Sequence, residues 1–164
     1  MIEVLVQDLA RAQADAVLRP TDETLSPLTD AISRLDQEAG PRFAEQRRLS
    51  STLKAGSAVV TGSGDLAAPF VLHAIIRDAE SQVGREVVRR ALVSAWQRAT
   101  DWELKIIATP LVGTGAGQLS VEEAATLLAQ TFPAGPGAFP SVLHIVVDHD
   151  ADREIVEAIV RRIA

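Results

Sequence analysis

The chain has no cysteine among its 164 residues. Disulfides and thiolate metal sites are therefore excluded, and a reducing compartment suits the composition. It has no excess of basic charge: 16 Lys and Arg stand against 22 Asp and Glu, for a net charge of −6. That balance argues against bulk binding of nucleic acid, while leaving room for a local pocket that takes a single nucleotide. No apolar run is long enough to span a bilayer. The opening residues, MIEVLVQDLA, have neither a basic flank nor a long apolar stretch, so no signal peptide is read there and the expectation is a soluble cytoplasmic protein. Linkers, internal repeats and low-complexity tracts are also missing. With 47% apolar and 23% charged residues, 1–164 reads as one globular domain.

The most informative stretch runs from Leu104 to Ser120. Leu104–Thr109 is apolar and β-branched and ends at Pro110, the pattern of a buried strand. The run Gly113-Thr114-Gly115-Ala116-Gly117 follows. Ser120 and Glu123 then stand at capping-box spacing ahead of an amphipathic segment. A strand that enters a glycine turn just before a helix suits an anion, because glycine lets the backbone come close and its N–H groups converge with the helix N-terminus. Two phosphate motifs are excluded. Gly117 is followed by Gln118 and Leu119, not by the Lys-Ser/Thr of a Walker loop, and the third glycine of a dinucleotide fingerprint is replaced by Gln118.

The rest of the chain alternates strand and helix patterns. Strands are expected at Ile2–Val6, Ala14–Leu18, Ser57–Thr61, Phe70–Ile76 and Val142–Val147, and the second should close at Arg19-Pro20 because proline cannot continue a central ladder. Ser26-Pro27 reads as a helix start, Gly40 as its stop, and Pro41–Leu49 as a further short helix. Further helices are expected over Gly84–Thr100, Val121–Phe132 and Arg153–Ile163. Apolar strands interleaved with amphipathic helices imply a three-layer α/β/α fold with a mixed central sheet. Ligands in such folds sit outside the carboxyl ends of the strands. Asp8, Arg19, Gly113–Gly117 and Asp148 all follow strand ends. His73, inside an apolar strand, reads as a hydrogen-bonded core residue.

Taken in order, these residues resemble the macro domain family, which binds ADP-ribose. Gln7-Asp8-Leu9 resembles its first loop, where an Asp followed by Ile or Leu contacts adenine. Asp15-Ala16-Val17-Leu18 resembles its D-A-I-V segment, Gly56–Thr61 its G-x-A-x-x-T strand, and Leu72-His73-Ala74 its I-H-A strand. Pro110–Gly117 resembles its diphosphate loop. The resemblance covers nearly the whole chain and implies that Asp8, Leu9, Val112, Gly113, Thr114, Gly115, Ala116, Gly117 and Asp148 bind ligand, with Arg19 as a substituted anion contact. It implies no metal or cofactor. One departure bears on activity. Where the family has N-A-A-N and a glycine-rich loop around the distal ribose, this chain has Arg19-Pro20-Thr21-Asp22 and then Glu23–Ser26.

Three functions follow from this. The first is non-catalytic binding of ADP-ribose or a related nucleotide diphosphate, alone or on a modified protein. The second is an interaction or oligomerisation scaffold that retains the fold without the site. The third is an ADP-ribosyl hydrolase or phosphoesterase using Asp22 or Asp65 as a base.

Overall fold

The computed structural model describes residues 1–115 and 119–163. Its elements are β1 (Ile2–Val6), a 3₁₀ turn (Leu9–Arg11), β2 (Ala16–Asp22), α1 (Asp30–Gln46), β3 (Ala58–Gly62), β4 (Phe70–Arg77), α2 (Arg85–Asp101), β5 (Ile106–Thr109), α3 (Val121–Thr131), β6 (Val142–Val147) and α4 (Asp150–Ile163). The six strands form one sheet in the order β1-β6-β5-β2-β4-β3. Every pairing is parallel except that of β3 with β4, so the sheet is mixed.

Both faces are covered. On one, α2, α3 and α4 pack Val88, Leu92, Leu128 and Val156 onto Leu18, Leu72, Ile107 and Ile145. On the other, α1 and the 3₁₀ turn pack Ile32, Leu35, Phe43 and Ala10 onto Val17, Val71, Ala108 and Val146. Neighbouring residues of one strand thus serve opposite layers, which explains why β2 and β4 are buried along nearly their whole length. At about 25 cal/mol per Å², each fully buried Leu or Ile in these layers contributes roughly 1.5–3 kcal/mol.

The structure corrects two expectations near the site. β2 does not close at Pro20 but continues to Asp22, with Pro20 opposite Ala74 of β4. Its pairing with β5 covers only Ala16 and Val17. One flank of β2 is therefore unpaired where Pro20 sits, and a missing N–H is tolerated on such a flank. Next, α1 does not start at Ser26-Pro27. Pro27 bridges back to Thr21, and Ser26 N–H donates to the Asp22 carboxylate at 3.0 Å. The N-cap is Thr29, whose hydroxyl accepts the Ile32 N–H at 3.3 Å. Gly40, by contrast, ends a helical stretch as expected: its φ of +83° and ψ of −176° are non-helical, so α1 consists of two helical stretches, 30–39 and 41–46, that meet at a kink.

Candidate functional site

A cleft of about 780 Å³ crosses the carboxyl ends of the parallel strands. The sheet order sets the order of residues along it. At the β1/β6 end stand Asp8, Leu9 and Asp148; at the end of β5, Gly113, Thr114 and Gly115; at the ends of β2 and β4, Pro20 and Ile76. The N-terminal turn of α1 forms the opposite wall with Leu28, Thr29, Ile32 and Arg34.

Two glycines bring the turn into place, each for its own reason. Gly113 has φ +95°, and an added Cβ would lie 2.8 Å from Leu119 Cδ1. Both backbone sign and packing therefore require glycine there. Gly115 is not left-handed. Its constraint is close approach: an added Cβ would lie 2.5 Å from Thr29 Cγ2. The turn is seated directly against the N-cap of α1, whose first N–H groups have no intrahelical acceptor. Val121, the first residue of α3, also faces the cleft. The Ser120–Glu123 capping box forms as its spacing implied, with Glu123 N–H donating to Ser120 Oγ at 3.1 Å and Ser120 N–H donating to Glu123 Oε1 at 3.0 Å. Donation from Ser120 holds the Glu123 carboxyl below the usual range, with Arg85 adding to it.

Asp8 is solvent-accessible on the rim. Its Oδ1 accepts the Ala10 N–H at 3.1 Å, capping the 3₁₀ turn and orienting the carboxylate. The rim is acidic: Asp8, Glu38, Asp148 and Asp152 line the cleft, against a single arginine, Arg34. Helix N-termini supply the compensating positive potential.

The other expected positions fall differently. Val112, expected to bind ligand, is fully buried in the larger core and does not line the cleft. Ala116 and Gly117 lie outside the described residues.

Arg19 is the main correction. It is not an anion contact; its side chain is 0% exposed and lies under α1. Its Nε donates to Asp36 Oδ1 at 2.8 Å and its Nη2 to Asp36 Oδ2 at 2.6 Å, a two-pronged pair. Nη1 donates to the Leu25 carbonyl at 2.8 Å. Arg47 reaches the same carbonyl at 3.0 Å, and both guanidiniums lie over the Phe43 ring. Burial lowers the Arg19 pKa, while the hydrogen bonds and charge of Asp36 oppose the shift.

His73 completes this buried cluster. Its Nδ1 lies 3.2 Å from Arg19 Nη1 and its Nε2 lies 2.8 Å from Thr61 Oγ1. Because a guanidinium only donates, Nδ1 is the acceptor, and the ring is neutral with its proton on Nε2. Burial pushes its pKa well below the ordinary value, with Arg19 and then Arg47 adding to the effect.

Neither carboxylate considered as a base lines the cleft. Asp22 Oδ1 accepts from Thr24 N–H, the Thr24 hydroxyl and Ser26 N–H at 2.9, 2.8 and 3.0 Å, and its other oxygen faces Arg77 at 3.7 Å. Burial would raise its pKa, but these partners outweigh burial and hold it below the usual range. Asp65 is surface-exposed and pairs with Arg42 at 3.1 Å. Among the described residues, no cluster of His, Asp and Glu is arranged to hold a metal ion.

Thr29, Arg34 and Asp152 belong to the cleft and were not anticipated. The signal for Thr29 was present in Thr29-Asp30 ahead of Ile32, Leu35 and Ala39, but Ser26-Pro27 is the stronger start pattern in isolation.

A mixed sheet with a cleft across its carboxyl edge, walled by a glycine turn and a helix N-terminus, defines an α/β/α domain of the macro type. The chain belongs to the macro domain family, whose sequence model matches residues 20–128. An uncharacterized protein of Aeropyrum pernix is 26% identical over 147 residues, covering 89% of this chain and 78% of the relative. The chain spans only 42–44% of the length of the mycobacterial relatives it matches. Among solved structures, a Trypanosoma brucei macrodomain in complex with ADP superposes with TM-score 0.82 at 18% identity, covering 97% of this chain and 68% of that one. An Oceanobacillus iheyensis macrodomain variant with ADPR superposes with TM-score 0.79 at 17% identity, covering 98% and 92%. At such identities these likenesses concern the fold. Among the described residues, no helix is long and apolar enough to cross a membrane.

Proposed function

We propose that the cleft is a non-catalytic binding site for ADP-ribose or a related adenine nucleotide diphosphate, free or attached to a protein. The observation that carries this reading is the seating of Gly115 against Thr29 at the N-terminus of α1, both lining the cleft; a glycine turn beside a helix N-terminus is a setting that suits a diphosphate. Asp8 stands at one end, and in this reading its carboxylate accepts from the adenine amino group. The solved macrodomains with ADPR and with ADP share this fold and lend the ligand class. Asp22 and Asp65 lie away from the cleft, and this favours binding over hydrolysis.

Titration calorimetry with ADP-ribose, ADP and a uridine diphosphate sugar tests the proposal. Asp8→Ala removes one charge-assisted hydrogen bond, worth roughly 1.5–3 kcal/mol, so adenine ligands should weaken about tenfold or more and the uridine ligand much less. Equal losses for both bases would remove Asp8 from adenine recognition. The excess of carboxylates over arginine in the lining favours the scaffold as second reading. Absence of heat with every nucleotide, in protein shown by circular dichroism to be folded, would put it first.

A further inference from the structure

The cleft changes chemistry along its length. The β1/β6 end carries the Asp8 and Asp148 carboxylates, and the middle carries the glycine turn facing Thr29. At the β2/β4 end the described lining residues are apolar: Pro20 and Ile76 at the strand ends, with Leu28 next to the Pro27 that bridges to Thr21.

Several polar groups around that end are already committed, and Glu23, whose buried Oε2 has no hydrogen-bond partner, does not line the cleft. The Thr21 hydroxyl is buried and donates to the Asp22 carbonyl at 3.1 Å. Asp22 Oδ1 is taken by Thr24 and Ser26, and the other oxygen faces Arg77. The Leu25 carbonyl accepts from both Arg19 and Arg47. Nor is the Asp22–Pro27 segment free to swing and offer a donor. The Leu25 side chain is 0% exposed although its backbone is left-handed at φ +62°. That conformation is unfavourable for leucine and is held by its anchors, the buried side chain and the two guanidiniums. Lifting the segment would uncover Leu25 and strip the Arg19–Asp36 pair of its roof.

Resting on the nucleotide-binding reading above, we infer that the cleft recognises an adenosine diphosphate unit and stops at its terminal phosphate. A sugar carried beyond that phosphate meets the apolar β2/β4 end. Its hydroxyls lose water there and, among the described lining residues of that end, find no side-chain partner in return. Pro20 and Leu28, with the Arg19-anchored segment behind them, are the specificity-determining residues.

The test compares ADP and ADP-ribose on the whole chain by calorimetry, and then by saturation-transfer NMR on ADP-ribose. The expected result is equal or weaker affinity for ADP-ribose, within about threefold of ADP when equal. Strong transfer to the adenine protons, with little to the distal ribose, should accompany it. ADP-ribose binding about tenfold or more tighter than ADP would overturn the inference and leave the binding function standing. Transfer to the distal ribose as strong as to adenine would also overturn it, including the case in which the nucleotide lies reversed with its base at the apolar end. If folded protein binds neither nucleotide, the binding reading fails and this inference falls with it.

Discussion

Replacing Arg19 with Met should destabilise the protein substantially and should do so through Asp36. The guanidinium is 0% exposed and the Asp36 side chain 9% exposed, joined by two bonds of 2.8 and 2.6 Å. Methionine fills most of the volume of the arginine stem, so cavity formation is a minor part of the cost. The main cost is a carboxylate left buried without its fork, and breaking a buried pair from one side costs about 3–5 kcal/mol. Arg47 tempers this. It lies 3.7 Å from Asp36 Oδ2 and 3.0 Å from the Leu25 carbonyl, so neither acceptor is wholly abandoned. The expected loss is therefore at the lower end, about 3 kcal/mol, or roughly 6–12 °C in melting temperature for a domain of this size. Urea unfolding of Arg19→Met, Asp36→Leu and the double variant measures it as a cycle. Each single change leaves one buried charge, whereas the double change leaves none at this pair. The double variant should therefore cost less than the sum of the singles by about 1–3 kcal/mol. Additive losses would refute the claim that the two side chains act as a buried pair.

Gly115→Ala should weaken nucleotide binding without unfolding the protein, because the new methyl collides with Thr29 Cγ2 at 2.5 Å. Adding Thr29→Ser trims that methyl but keeps the capping hydroxyl, and calorimetry should show affinity partly restored; a pair that binds no better than the single variant would show that the clash is elsewhere. His73 makes stability pH-dependent. Its folded pKa is depressed below that of the unfolded chain, first by burial and then by Arg19 and Arg47. The unfolded state therefore binds more protons once pH drops below about 6.5, and stability should fall with pH from there, by at most about 1.4 kcal/mol per unit from this group. Urea midpoints for His73→Gln should show a shallower fall between about pH 6.5 and 5.5, and a slope identical to the unsubstituted protein would exclude His73 as its source. ADP-ribosylated protein offered as substrate should release no ADP-ribose over many turnovers; release that is lost in Asp22→Ala would promote the hydrolase reading.

Much of the architecture was legible because the signals were local. Ile2–Val6 and Val142–Val147 form strands over those same bounds, and the capping box at Ser120 forms as spacing demanded. Such features depend on neighbours a few residues away: the alternation of a strand, the apolar stripe of a helix, the reach of a serine hydroxyl to the third N–H. The glycine turn was legible for the same reason, although the sequence could not say which glycine is left-handed and which is merely crowded. Ser26-Pro27 misled because the pattern is sound in isolation. Asp22 captures the Ser26 N–H and Thr21 bridges Pro27, so those residues go to the loop and leave the cap to Thr29.

The sequence by itself determined the kinds of element, their order and the layered class of fold, since these follow from side-chain periodicity and turn chemistry along one chain. Tertiary structure decided the site. Asp8, Asp148 and Gly113 meet in one cleft only because β6 lies between β1 and β5 in the sheet. Pro20 is accommodated within β2 where β5 pairing has ended. Arg19 lies within β2 after three apolar residues, and whether a guanidinium there faces a ligand or a core depends on what covers that face. The answer is α1, which carries Asp36 and Phe43 to it from outside the strand, and proximity created by packing between distant segments leaves no periodic mark in the chain.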